Sequence, residues 1–362
     1  MWVQLPPPAP LFVLLTSTTT ISAGGKDNTS FHFGTFSILR SSAITIFIFF
    51  LCFPSFAQQR ALQKVRVLCL NRPLPAVAAQ AQGIFAKNGI EVELMVEPGS
   101  DALRKDLAAS KGDVAFVALD NAVAMVETAG ADVVIVMGGE SSLNELIVQP
   151  EIKSIEDLRG RKVLVDAPNT AYALQLKKIL LLNGLQPEND FKIDPVGSTQ
   201  FRLKAMTADK GNAAAILNPP FSILAKHAGL VSLGAMQKLL GGDQDRGTFA
   251  LRHWARDHAD LLERYVAGFV QGQRWLMAPS SKAQVIALVM KESNLTAQLG
   301  VEWYASVVQA EGYAKDARFD LKNFTKTLEL RAEVEAGENG KAPPADKYLD
   351  LSYYQAALSK IK

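Results

Sequence analysis

Cysteine is scarce in this chain, with two residues in 362, Cys52 and Cys69. Two cysteines allow one disulfide at most, and Cys52 falls inside an apolar leader, so a processed chain keeps only Cys69 and must draw its stability from packing. Long apolar runs are lacking too. The stretch Ala43 to Phe53 (AITIFIFFLCF) is about eleven residues, short of the roughly 20 needed to span a bilayer as a helix. There is little charge of one sign in excess: 38 Lys and Arg face 36 Asp and Glu, a net +2, too small for a nucleic-acid partner held through counterion release. Histidine is limited to His32, His227, His253 and His258, and the last two are five apart, which does not set a metal pair on one helix face. The chain has no G-x-S-x-G, H-E-x-x-H or G-x-x-x-x-G-K-[ST] string, so hydrolase and nucleoside-triphosphatase readings have no motif. No catalytic residue, metal site or cofactor is expected.

The composition itself, 48% hydrophobic and 20% charged, is that of a globular protein large enough for two lobes. The apolar run reads as the h-region of an export signal: Arg40 precedes it, and Ser55-Phe56-Ala57 sets small residues where cleavage after Ala57 would need them. The competing reading is a buried strand or uncleaved anchor. Polar Gln58-Gln59-Arg60 follows at once, so the expectation is a periplasmic protein beginning near Gln58. Leu51 is too bulky to precede a lipidated cysteine. Residues 1–39, rich in Thr, Ser and Pro, exceed a normal n-region; a start codon assigned too early accounts for them, and a role of its own for Leu11 to Leu15 is the alternative.

From Lys64 onward short β-branched runs alternate with helical segments, the pattern of α/β lobes with mainly parallel sheets. Strands are expected at Lys64–Leu70, Ile90–Val96, Val114–Leu119 and Val133–Met137, with helices at Leu74–Asn88, Ala102–Lys111 and Asn121–Ala129. A second unit opens near Ser154, expected to cap Ile155–Leu158, and repeats the βα logic through strand Lys162–Asp166, a helix of about Thr170–Leu182, strands Phe191–Val196 and Ala213–Leu217, and helices Thr199–Ala208 and Pro220–His227. Thr248–Leu251 then returns the chain to the first unit. Helices at Leu261–Met277, Ser281–Glu292, Thr296–Gln309 and near Leu351–Lys360 complete it. The expected divisions are 1–57, leader; 58–150, first lobe; 151–246, second lobe; 247–362, return and C-terminal helices.

Three passages carry a resemblance: Ala79 to Leu94 (AQAQGIFAKNGIEVEL), Lys111 to Val123 (KGDVAFVALDNAV) and Ser154 to Leu180 (SIEDLRGRKVLVDAPNTAYALQLKKIL). In order and spacing, across nearly all of Val65 to Ala336, the chain resembles the ABC-transporter substrate-binding proteins of the nitrate, sulfonate and thiamine-precursor (NMT1/THI5-like) group. That resemblance implies a type II periplasmic-binding-protein fold with a ligand cleft between two lobes, a membrane permease as partner, and a monomer that alters no covalent bond. The same fold also hosts enzymes, such as menaquinone-pathway lyases and a thiamine-pyrimidine synthase; the synthase depends on a cysteine-rich motif absent here. A sensory lobe is a third possibility, without a signalling segment after the fold.

Candidate binding residues are those that follow strands, where open α/β sheets hold ligands. Asn169, Thr170, Ala171 and Tyr172 open a helix whose unpaired N–H groups and dipole suit an anion, although a purely structural cap reads equally well. Asn71 and Arg72 follow the first strand, and Asp120 and Asn121 the third; Arg72 suits an anionic group, or is a solvated charge, and Asp120 is either a cap or an acceptor for an amine. Glu140 and Ser141 follow Gly138-Gly139. Asn218 and Phe221 flank two prolines where many relatives carry an acidic residue, so a ligand amine there is in doubt. Tyr172 and Phe221 could stack on a planar ligand, or pack in the core.

Overall fold

The computed structural model describes residues 61–361 apart from 142, 188, 242, 243, 311 and 337–339. The leader, Cys52, His32 and the cleavage at Ala57 lie outside the described residues. Ten strands follow in order: β1 (Gln63–Cys69), β2 (Ile90–Val96), β3 (Val114–Ala118), β4 (Val133–Ser141), β5 (Glu145–Val148), β6 (Arg161–Val165), β7 (Phe191–Pro195), β8 (Asn212–Leu217), β9 (Val231–Ala235) and β10 (Gln244–Leu251). They form two five-stranded sheets ordered β2-β1-β3-β10-β4 and β7-β6-β8-β5-β9. Each sheet has four parallel strands and one antiparallel strand, β10 in the first and β5 in the second. The central strands β3 (VAFVA) and β8 (NAAAIL) are buried along their whole length, as strands covered by helices on both faces must be. Alternation survives at β2, where Ile90 and Val92 are buried and Glu91 and Glu93 are not.

Several elements differ from expectation. The helix expected over Leu74–Asn88 is broken at Gly83, whose φ of 65° is left-handed, leaving Leu74–Ala81 and Ile84–Lys87. Ser154 does not cap the turn at Glu156–Leu158; instead the Asp157 carboxylate accepts the backbone N–H groups of Lys153 at 2.8 Å and Ser154 at 3.0 Å. Strand β5 pairs with β8 and β9, so the chain enters the second sheet ahead of the expected division at residue 151. The return strand begins at Gln244 rather than Thr248, and its Gly247 is needed because a Cβ there would stand 2.3 Å from the Met137 carbonyl oxygen. A 16-residue helix, Leu321–Ala336, occupies sequence where none was expected.

The first sheet is sandwiched between two apolar clusters. One joins Val65, Val67 and Phe116 to Tyr265, Phe269 and Ala357 of the C-terminal helices; the other joins Leu68, Leu103, Phe249, Phe324 and Tyr348. The second sheet has its own pair. Another cluster belongs to the C-terminal helices but includes Ile223 of the Phe221–His227 helix, so apolar packing crosses between lobes. Among the described residues no helix is long and apolar enough to cross a membrane.

Candidate ligand-binding cleft

The carboxyl ends of β1, β3, β6 and β8 deliver the segments at Asn71, Asn121, Thr170 and Asn218 into one interlobe cleft. It has a deep part of about 30 Å³, bounded by Asn71, Asn121, Thr170, Tyr172, Arg202 and Arg246 among others. It also has an outer part of about 400 Å³ that shares Leu70, Asn71 and Arg246 with the first. The deep part has room for a water or two; the outer part lies within the range of small-molecule sites. One wall of the outer part is apolar, made by Leu74, Leu143, Phe221, Val289, Trp303 and Val307. Trp303 ends the Ala297–Trp303 helix and Val307 lies in the π-helical turn Tyr304–Val308 that follows; such turns recur at functional positions.

Direct hydrogen bonds draw the lobes together. Ser100 Oγ of the first lobe donates to Asp166 of the second at 2.6 Å, and Ser198 N–H donates to the Pro98 carbonyl at 2.9 Å. Arg104 Nη1 reaches Asn169 Oδ1 at 3.3 Å, while Arg331 Nη2 donates to the Asn169 carbonyl at 3.2 Å. Lys178 and Glu333 add an ion pair at 2.7 Å. These contacts define a closed arrangement.

Every charged side chain bordering the cleft faces an opposite charge. Arg246 pairs with Glu140 at 3.1 Å and Arg72 with Glu292 at 3.1 Å. Arg202, fully buried, stands 4.0 Å from Asp166, donates to the Gly197 and Ile216 carbonyls and to Thr199 Oγ1, and lies 5.4 Å over the Tyr172 ring. Burial disfavours its charge, and Asp166 opposes that effect. Burial likewise pushes the Glu140 carboxyl up, with Arg246 opposing, and pushes the Cys69 thiol up to about 12, which leaves Cys69 a packed thiol rather than a nucleophile.

Asn71, Asn121, Thr170, Ala171 and Tyr172 border the deep part, and Arg72, Glu140, Asn218 and Phe221 the outer part. Thr170 is also the cap of its helix, accepting the Ala173 N–H at 3.5 Å and donating to Asp166. Asp120 and Asn169 border neither part: Asp120 is buried against Arg331, with contacts of 2.8 and 3.0 Å, and Asn169 is taken up in the lobe–lobe contacts above. Ser141 ends β4 against Gln244. Sequence reasoning missed Ser100, Asp166, Arg202 and Arg246. Of these, Asp166 had a usable signal, an acidic residue directly after the apolar strand KVLV. Among the described residues, no three His, Cys, Asp or Glu side chains are grouped to hold a metal ion.

The NMT1/THI5-like family matches residues 72–220. A solved protein from Bordetella bronchiseptica RB50 superposes with a TM-score of 0.70 at 16% identity, covering 83% of this chain and 98% of its own. The periplasmic nitrate-binding protein NrtA from Synechocystis PCC 6803 gives 0.66 at 14% identity over 83% and 89%. The desulfurization enzyme DSZB gives 0.59 at 13% identity over 83% and 100%. Comparison with curated proteins gives no match. The chain has a periplasmic-binding-protein-like fold, within which residues 72–220 match the NMT1/THI5-like family.

Proposed function

We propose that the protein is the extracytoplasmic solute-binding component of an ABC importer. It is exported to the periplasm with cleavage near Ala57, acts as a monomer, captures a small polar or anionic organic ligand by closure of its lobes, and presents the closed form to a membrane permease. The observation that carries this reading is a cleft at the carboxyl ends of the strands, bordered by polar groups of both lobes and bridged by direct lobe–lobe hydrogen bonds. A ligand touching both walls favours the closed state by its extra contacts there. The nitrate-binding relative supports a transport role; the desulfurization enzyme makes catalysis the alternative to test.

A thermal-shift screen against nitrate, sulfonates, carboxylates, pyrimidines and flavin-like compounds tests the reading, because a ligand that binds only the folded state raises the melting temperature by mass action. The expected result is a selective rise with the compound recovered unchanged. Conversion of the compound, or no rise with any of them, moves weight to the enzymes of this fold.

A further inference from the structure

The relatives and the helix termini of the cleft invite an anion, but the groups bordering it do not favour one. Arg72, Arg202 and Arg246 are matched by Glu292, Asp166 and Glu140 at 3.1, 4.0 and 3.1 Å. An entering anion therefore meets a carboxylate beside each guanidinium, and the Coulomb terms largely cancel.

Two residues bordering the deep part each keep a buried polar atom that has no partner among the described residues: Arg202 Nε, a donor, and Asn121 Oδ1, an acceptor. Both parent side chains are about 99% buried, with relative exposures of 1%. The orientation of the Asn121 amide is fixed by its own contact, since Nδ2 donates to the Ala118 carbonyl at 3.1 Å, so its Oδ1 is the atom left over. A carboxylate, sulfonate or nitrate can satisfy the Arg202 donor but has no hydrogen to give Asn121. A head that both donates and accepts can match both, directly or through the water the deep part has room for, and a buried polar group left unmatched is costly. Farther out, Leu143, Val289, Trp303 and Val307 offer an apolar surface to the rest of the molecule.

Building on the binding-protein reading above, we infer that the ligand is a net-neutral organic molecule with a donor–acceptor head of amide or ureide type on an apolar body, and that Asn121 and Arg202 read the head.

Matched probes test this on the full chain: phenylacetamide and phenylurea against phenylacetate and benzylsulfonate, with nitrate as the small anion. Affinity is read by calorimetry, and location by the fluorescence of Trp303 with Trp303→Phe as control. The amide or urea is expected to bind at least tenfold tighter than its anionic counterparts and to change the Trp303 signal. Asn121→Leu, checked for unchanged circular dichroism, is expected to erase that preference. Equal or tighter binding of the anions overturns the assigned head and leaves the binding-protein reading intact. An amide that binds but is returned as acid and ammonia keeps the head and overturns the binding-protein reading. Binding by none of the probes overturns the assigned head, and the screen above then decides the reading by itself.

Discussion

Arg331 and Asp120 lie 211 positions apart and meet as a doubly bonded ion pair, both nearly inaccessible to water. Such a pair is held in place by its own completeness, because removing one member strands the other as an uncompensated buried charge. Arg331→Leu is therefore expected to lower the stability of the fold by about 3 kcal/mol, read as a fall in the urea midpoint with unchanged slope; a change under about 0.5 kcal/mol would show that water replaces the guanidinium at little cost. None of this was visible from Asp120 alone, which after strand β3 reads equally as a helix cap or a ligand acceptor. Arg202 and Arg246 were hidden for the same reason. A guanidinium in a sequence reads as solvated, and its burial depends on carboxylates and carbonyls brought from elsewhere. By contrast, Asn71, Asn121 and Thr170 were legible as cleft positions because following a strand is a local property, and the fold sends several such positions, though not Asp120 or Asn169, to one crevice.

At the level of elements, apolar runs bounded by turn residues made β1, β3, β6 and β8 readable, and β2 showed its alternation. The Leu321–Ala336 helix escaped because its inward stripe is part polar. Phe324 and Leu328 are joined there by Thr327 and Arg331, all buried, so the apolar period that marks a helix is interrupted. Strand β5 escaped because four residues carry too little pattern. The turn at Glu156–Leu158 has a pH signature. Two backbone N–H groups bonded to Asp157 hold its carboxyl below the usual range. A lowered folded-state value means that the stabilisation is complete above the unfolded carboxyl's value of about 4 and fades as the pH falls through the lower one. Asp157→Asn is thus expected to melt earlier than the parent at pH 7, with the two melting curves converging in acid. A gap that persists in acid would mean that the turn depends on shape rather than charge.

For the molecule as a whole, the proposed closure places the balance between closed and open forms on the few contacts that bridge the lobes. The Ser100–Asp166 hydrogen bond is one of these, formed at 2.6 Å, and a bond of this kind is worth on the order of 1 kcal/mol. Ser100→Ala is expected to shift the closed-to-open ratio by about fivefold. Small-angle scattering should record this as a larger mean radius of gyration without ligand, and the affinity of any cleft ligand should weaken by a similar factor. An unchanged radius would assign closure to the Asn169 and Lys178 contacts instead. The two-lobed architecture was legible from the repeated βα pattern, but the closed geometry was not, since these bridges join residues whose sequence neighbours say nothing about them.

The placement of β10 sets an order of completion. The second sheet has all of its strands once residue 235 has been made, whereas the first still lacks the strand that must lie between β3 and β4 until residues 244–251 follow. A chain emerging from its amino end therefore finishes the lobe it begins later before the lobe it begins first. Until then β3 and β4 stay unjoined, each showing an unpaired edge to whatever first receives the newly made chain.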